Sequence, residues 1–320
     1  MLTMLQGKGF IMDTKKVIKY VVVTYAIAWS IQTVVSLYMI DDPSQKGLLV
    51  FQVGLAACMF APLIAALIVR ADFRNMGWKP KFKGNIGWLF FAAYIALPLT
   101  VIGAALFYAI FPDLFDLTGS VLAVQGEQSG IDIMAQLEAQ GLNYGTYLAL
   151  SLGPAVVFAP FINISTAIGE EAGWRGFLYP ELKKRFSYPV TWIIGGAIWA
   201  AFHFPAMLIA GYEYGTNYIG HPWLGLIAFT LFCIMIGIIE QIVYDKTKCI
   251  WYAALFHGSI NAILTIPPVF ENAYAADKLE QIAVLGPGGT GLIIALPFFI
   301  LAIVMGISVI RKNSKSEAAS

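Results

Sequence analysis

Apolar residues in this chain neither alternate with polar ones nor keep to one helical face. They run together for about 20 residues at a time and are separated by short polar clusters. The runs lie near residues 17–40, 48–69, 86–111, 146–169, 190–211, 223–244, 251–269 and 291–310. A helix needs about 20 apolar residues to cross the hydrocarbon core of a bilayer, so the pattern predicts an all-α, polytopic membrane protein with about eight transmembrane helices. The first run is longer than the apolar region of a secretory signal and lacks a small-residue cleavage site, so it is expected to remain as the first span. An even number of spans places the N- and C-termini on the same side.

Composition agrees with the pattern. The 320 residues are 59% hydrophobic and 12% charged, with a mean hydropathy of +0.74, whereas a soluble domain carries about 25% charged residues. Residues 1–320 are therefore expected to form a single integral-membrane domain with no room for a sizeable soluble one. The formal net charge of +1 argues against a nucleic-acid partner, and membrane lipids are the expected surroundings. Cys58, Cys233 and Cys249 are too few and too far apart for a disulfide framework or a CxxC-type metal cluster. Cys58 and Cys233 read as small core residues, and Cys249 sits at a helix end.

The charges become informative when sorted by position. Lys8, Lys15, Lys16, Lys19, Arg70, Arg74, Lys79, Lys81, Lys83, Arg175, Lys183, Lys184, Arg185, Lys246, Lys248, Arg311, Lys312 and Lys315 fall on one side of the eight-span scheme, and only Lys46 and Lys278 on the other. Basic residues stay in the cytoplasm, so both termini are expected there. The opposite side carries Asp41, Asp42, Asp113, Asp116, Glu127, Asp132 and Glu138. Its longest connection, residues 112–145, reads as an irregular outer loop, with IDIMAQLEAQ as a potential interfacial helix. The polar tail from Asn313 to Ser320 reads as disordered.

Ionisable groups inside apolar spans are costly and point to function. Two of the three histidines are so placed, His203 in the fifth run and His257 in the seventh. His221 falls in an outer loop. A polar island, GEEAGWRGFLYPEL, begins at the end of the fourth run with Glu170, Glu171 and Arg175. Glu171 and Arg175 are four apart, the favoured spacing for an ion pair. Glu170 points about 100° away and is left for a cavity, with Trp174 one turn on as an apolar wall. His257 and Asn261 project from one helix face and can address one ligand. Pro205 after His203 permits a kink, and a broken helix in a membrane lines a cavity or packs on protein. At about 1.5 Å per residue, His203 lies about 16 Å beyond Trp192 and His257 about 9 Å beyond Trp251, so tilt or the kink has to bring them together. Packing alone accounts for any one of these groups but poorly for all six on three spans.

The ordered set EEAGWR (Glu170, Glu171, Arg175), then His203, then His257 and Asn261 resembles the three motifs EExxxR, FxxxH and HxxxN of the CPBP family, the CAAX prenyl endopeptidase type II and bacteriocin-processing group. The resemblance covers roughly residues 169–261, inside a motif-bearing core of about 146–265. One departure is visible: Trp199 stands where the family has Phe four residues before the second-motif histidine, and only a change of pocket shape is expected from it.

The resemblance implies an eight-helix intramembrane endopeptidase with a cavity opening toward the cytoplasm. It further implies that Glu170 and His203 activate a water while His257 and Asn261 stabilise the oxyanion, with Glu171 and Arg175 in support. Substrates would be peptides or membrane proteins, CAAX-type or otherwise lipidated. The family is also described as metalloprotease-like, and Glu170, His203 and His257 would make a Glu plus two His zinc set. HExxH is absent, however, and metal-free glutamate chemistry is favoured. The brevity and plain termini suggest a prokaryotic cell membrane.

Other classes fit less well. A rhomboid-type serine protease needs GxSG and a presenilin-type protease needs GxGD, and neither occurs. A non-catalytic bacteriocin-immunity or scaffold protein of the same family is the first alternative. A proton-coupled transporter is the second, but it predicts inverted repeats, and no internal repeat is visible.

Overall fold

The computed structural model describes residues 11–317, which leaves Lys8 and residues 318–320 of the polar tail outside the described residues. Within that range the chain is helical, with an isolated antiparallel bridge between Phe115 and Glu271 in place of any strand. α1 (Thr14–Asp41) is followed by a span in two pieces, α2 (Gln45–Cys58) and α3 (Ala61–Ile68). The third span is also interrupted, as α4 (Ile86–Tyr94) and α5 (Ala96–Ile110). Then come the short α6 (Ser120–Ser129) and α7 (Ile133–Ala139), the long α8 (Tyr144–Gly173), a π turn over Trp174–Leu178 and α9 (Tyr179–Lys183). α10 (Tyr188–Phe202) and α11 (Phe204–Ala210) form a bent pair, followed by α12 (Trp223–Thr247), α13 (Ile250–Ile263), the short α14 (Ala276–Gln281) and α15 (Leu292–Glu317). Seven of the described segments are long and apolar enough to cross a membrane, and the bent pair makes an eighth. They coincide with the eight apolar runs, so the chain is an integral, multi-pass membrane protein.

Alternating spans divide the connections between two faces. On the basic face, Lys16 donates to the Arg70 carbonyl at 2.8 Å, and the indole of Trp251 donates to the Trp78 carbonyl at 2.7 Å. On the acidic face, Lys278 bonds Asp113 at 2.6 Å and the Ile219 amide donates to the Gln281 carbonyl at 3.0 Å. Arg175 does not belong with the basic face, because its side chain is buried.

Two segments expected to be irregular are ordered. Residues 112–143 contain α6 and α7, started by Asp116, whose carboxylate accepts the amides of Thr118, Gly119 and Ser120 at 2.8–2.9 Å. Asp132 caps α7 by accepting the Ala135 amide at 2.8 Å. These short polar caps substitute for hydrophobic periodicity, which is weak in this stretch. The polar tail differs as well: α15 continues through Asn313 to Glu317.

The break between α10 and α11 is a 41° bend at His203. Pro205 cannot donate to the Ala201 carbonyl, and the bend withdraws the Ala206 amide from Phe202. One face of α1 repairs the gap. Trp29 donates to the Ala201 carbonyl at 3.0 Å, and Gln32 donates to the Phe202 carbonyl at 2.9 Å while accepting the Ala206 amide at 3.2 Å. Buried backbone groups left without partners would each cost about 1–3 kcal/mol, so Gln32 stabilises the bend rather than merely touching it. Glycine sets the other close approach: a Cβ on Gly258 would stand 2.7 Å from the Pro160 carbonyl, so α13 lies against α8 directly beside His257.

Candidate active site

The dipeptide Glu170–Glu171, near the end of α8, supplies two carboxylates that serve different environments. Both are buried. Glu170 Oε2 accepts two indole N–H groups, from Trp174 at 2.9 Å and from Trp199 at 2.7 Å. Trp174 is therefore a hydrogen-bond donor where it meets the carboxylate, not only an apolar wall. Trp199, which departs from the family pattern, does more than reshape the pocket, because phenylalanine has no N–H to offer.

Glu171 faces the opposite way, into a buried ion cluster. Its Oε1 accepts from Arg175 Nη1 at 2.9 Å and lies 2.9 Å from His257 Nδ1. Arg175 Nη2 pairs with Glu240 of α12, and Glu240 Oε1 lies 3.9 Å from His257 Nδ1. The guanidinium is layered between the rings of Tyr179 and Trp199, with centroids at 4.8 and 4.9 Å. The predicted Glu171–Arg175 pair thus forms, but within a larger cluster.

The histidines present their remaining nitrogens to the cavities. His203 Nδ1 lies 3.1 Å from the Trp199 carbonyl, which can only accept, so Nδ1 carries the proton and a neutral ring keeps a lone pair on Nε2. His257 Nδ1 is likewise fixed as the donor by Glu171. Trp199 and His257 rings are 5.3 Å apart, and the bend at His203 brings both histidines to the same cavities despite their unequal positions along their helices.

Two cavities of about 400 and 360 Å³ both touch His203, Tyr212, His257 and Asn261. The smaller reaches Glu170 and is walled by Gln52 of α2, by Met59 just beyond it, and by Asn163 and Thr166 of α8. The larger extends past Phe229 to Glu213, Thr265 and Thr290. The structure thus assembles Glu170, His203, His257 and Asn261 around the smaller cavity, and it sets Glu171 and Arg175 behind them. His221 is exposed on the acidic face, away from this cluster. Cys58, Cys233 and Cys249 are buried, as small core residues.

Zinc on Glu170, His203 and His257 fits poorly. Among the described residues, the group of His, Cys, Asp and Glu whose donor atoms all lie within 4.8 Å of one another is Glu171, Glu240 and His257. Arg175 already stands among those carboxylates, so a second cation there would have to displace a guanidinium.

Two residues escaped the sequence. Glu240, in IIEQIVYD, reads as the polar end of a span, and only its burial reveals its role. Glu213, which lines the larger cavity, accepts from the Thr290 hydroxyl at 2.8 Å and holds a left-handed backbone with φ of 76°, an uncommon conformation for glutamate. Burial raises its carboxyl above the ordinary value against the hydrogen bonds from Thr290 and Tyr212, which lower it. Its neighbours Gly211 and Gly215 mark a turn but give no hint that the carboxylate faces a cavity.

Comparison with known proteins places the similarity on this assembly. The family model for the Type II CAAX prenyl endopeptidase Rce1-like group matches residues 152–263, which contain every residue of the carboxylate and histidine clusters. CAAX prenyl protease 2 of Methanococcus maripaludis is 32% identical over 102 residues, or 32% of this chain and 37% of that relative. The chain thus spans little more than a third of the length of the curated relative it matches.

Proposed function

We propose, from a motif-bearing core that belongs to the Rce1-like group of type II CAAX prenyl endopeptidases, that this protein is an intramembrane endopeptidase that hydrolyses peptide bonds of membrane-associated or lipidated substrates with a water activated by glutamate and histidine. The observation that carries the reading is the free Glu170 carboxylate, anchored at Oε2 by two indoles and bordering the cavity that His203, His257 and Asn261 share.

Hydrolysis needs a base for water, a donor for the developing oxyanion and a route for the proton. Glu170 Oε1, the oxygen not held by the indoles, takes the water proton. His203 Nε2 orients the same water through its lone pair. Attack on the scissile carbonyl puts negative charge on its oxygen, where His257 and the Asn261 carboxamide donate. His257 suits this role because the cluster behind it holds two carboxylates, Glu171 and Glu240, against one guanidinium. A proton shared with His257 balances that charge and supplies an Nε2–H to the cavity. Glu170 then returns its proton to the leaving amine. No step requires a metal.

Purified protein in detergent or nanodiscs, given a prenylated CAAX peptide and a generic membrane-protein substrate, tests the reading. Glu170→Gln should lower turnover by about 10²–10⁴-fold, the range of general acid–base catalysis, and His203→Ala should do likewise. A chelator should leave the wild type unaffected. Retained turnover in Glu170→Gln would exclude the mechanism, and chelator-sensitive activity with stoichiometric metal would replace it with a metal-dependent one.

A further inference from the structure

We infer that Glu213, with the aromatic wall around it, forms a substrate subsite for a basic side chain, so that cleavage is favoured near a lysine or arginine of the substrate. The inference rests on the endopeptidase reading for what the subsite serves, but not for what it binds.

The carboxylate is built into the wall of the larger cavity. Glu213 follows Tyr212 in the connection from α11 to α12, and its Oε2 accepts from the Thr290 hydroxyl at 2.8 Å. Thr290 is buried, and its own carbonyl accepts from the Tyr214 hydroxyl at 3.0 Å. Next to it, Gly289 lies so close to Leu264 that a Cβ would not fit. Both connections are thereby pinned where they meet the cavity. Glu213 keeps φ of 76° in this position, a conformation that costs glutamate more than glycine. A carboxylate fixed in this way is preorganised for a ligand.

No cation of the protein answers its charge. The cavity wall contains neither lysine nor arginine. Among the described residues Glu213 takes part in no ion pair. The two connections that meet at Glu213 and Thr290 hold one lysine and no arginine, and that lysine, Lys278, pairs with Asp113 at 2.6 Å. Of the two histidines on the wall, His257 is committed to Glu171 at 2.9 Å and His203 to the Trp199 carbonyl at 3.1 Å. A buried carboxylate without a countercharge is costly, so a cation carried in by a ligand is favoured there. The remaining wall suits such a guest. Tyr212, Phe229 and Phe232 present aromatic rings, whose faces attract ammonium and guanidinium groups. Ile260 and Leu264 receive the apolar stem of lysine or arginine.

The subsite adjoins the reacting groups. Tyr212 stacks on His203 with ring centroids 6.3 Å apart, and Phe229 meets the same imidazole at 5.1 Å. The cavity that holds Glu213 also touches His257 and Asn261. A basic residue close to the scissile bond therefore sets its head group at Glu213 while its peptide group lies at the histidines.

Peptides that differ in one charge test the subsite. N-acetylated, internally quenched peptides, which have no α-ammonium, carry lysine, norleucine or glutamate at each position in turn around the cleaved bond. At one position the wild type should prefer lysine to norleucine by about tenfold or more in kcat/KM. Glu213→Gln can still accept from Thr290 but has no charge, and the lysine-to-norleucine ratio should fall to about one. Glu213→Lys should turn the preference toward glutamate at the same position. A mere tie between the two connections would move none of these ratios. Thermal melts with butylguanidinium and with butylurea, its neutral isostere, read the site without cleavage: only the cation should raise the melting temperature, in the wild type and not in Glu213→Gln. Cleavage with equal lysine-to-norleucine ratios in wild type and Glu213→Gln overturns the inference, whatever the melts show. If no peptide is cut while butylguanidinium stabilises the wild type through Glu213, the endopeptidase reading fails and the cation site stands. Absence of both cleavage and stabilisation overturns both.

Discussion

Replacing Trp199 by phenylalanine isolates one interaction in the site. An aromatic ring remains beside Arg175 and His257, whose positions lie 4.9 and 5.3 Å from the Trp199 ring. Besides ring volume, what is lost is the indole N–H that reaches Glu170 Oε2 at 2.7 Å. A buried hydrogen bond to a charged group is worth about 1.5–3 kcal/mol, and each 1.36 kcal/mol is about tenfold in rate. If the bond holds Glu170 in its reactive position, kcat should fall about 10- to 150-fold with KM nearly unchanged, because the loss is felt in the transition state. Trp174→Phe, which removes the second donor at 2.9 Å, should act in the same direction. Trp192→Phe is the control, since its buried indole N–H has no hydrogen-bond partner. Peptide-cleavage kinetics and thermal melts on the three variants complete the comparison. Equal turnover in Trp199→Phe and Trp192→Phe would refute the view that indole donors position the carboxylate.

Further tests address the surroundings of the site. Glu240→Gln leaves Arg175 with a single carboxylate in a buried cluster and should destabilise the fold by about 3–5 kcal/mol, read as a lower melting temperature in detergent. Gln32→Leu strips the Phe202 carbonyl and the Ala206 amide of their partner; at about 1–3 kcal/mol for each orphaned group it should lower both melting temperature and turnover, since His203 sits at that bend. Asp116 is pushed up by burial but held well below the ordinary carboxylate range by hydrogen bonds from Thr118 and Ser120. Its contribution to the 112–143 connection is therefore present above the unfolded value of about 3.9 and fades as pH falls below it. Limited proteolysis at neutral pH should cut this connection faster in Asp116→Asn than in wild type.

The spans were legible because each apolar run is as long as a bilayer is thick, a signal that depends on no tertiary contact. The four cavity residues were legible for a related reason: packing accounts poorly for several polar groups gathered in or at the end of such runs. Glu240 follows the same logic but hides, because it stands only seven residues before Thr247, the end of α12, where a carboxylate is ordinarily solvated. The indole donors hide differently. Trp174 and Trp199 are apolar by any hydropathy count, and their N–H groups become relevant only when a carboxylate is folded against them. The bend at His203 was predicted from Pro205, yet its repair by Trp29 and Gln32 was not, since those residues lie about 170 positions away in the chain.

Neighbouring glutamates in one helix end as unlike groups because of what surrounds each. Arg175 commits one amino group to Glu171 and the other to Glu240. Its two planar faces are covered by Tyr179 and Trp199. No hydrogen bond of Arg175 reaches Glu170. Trp199 thus acts as a partition, turning its ring toward the guanidinium and its N–H toward the cavity carboxylate. A carboxylate paired with a guanidinium gives up that pairing when it takes a proton, and in a buried site the guanidinium left behind is costly. Glu170, held only by neutral donors, can take a proton without stranding a cation. The arrangement therefore selects Glu170 rather than Glu171 as the proton acceptor. It also explains why the second carboxylate is needed: Glu171 and Glu240 together hold Arg175 away from Glu170 and orient His257 toward the cavity.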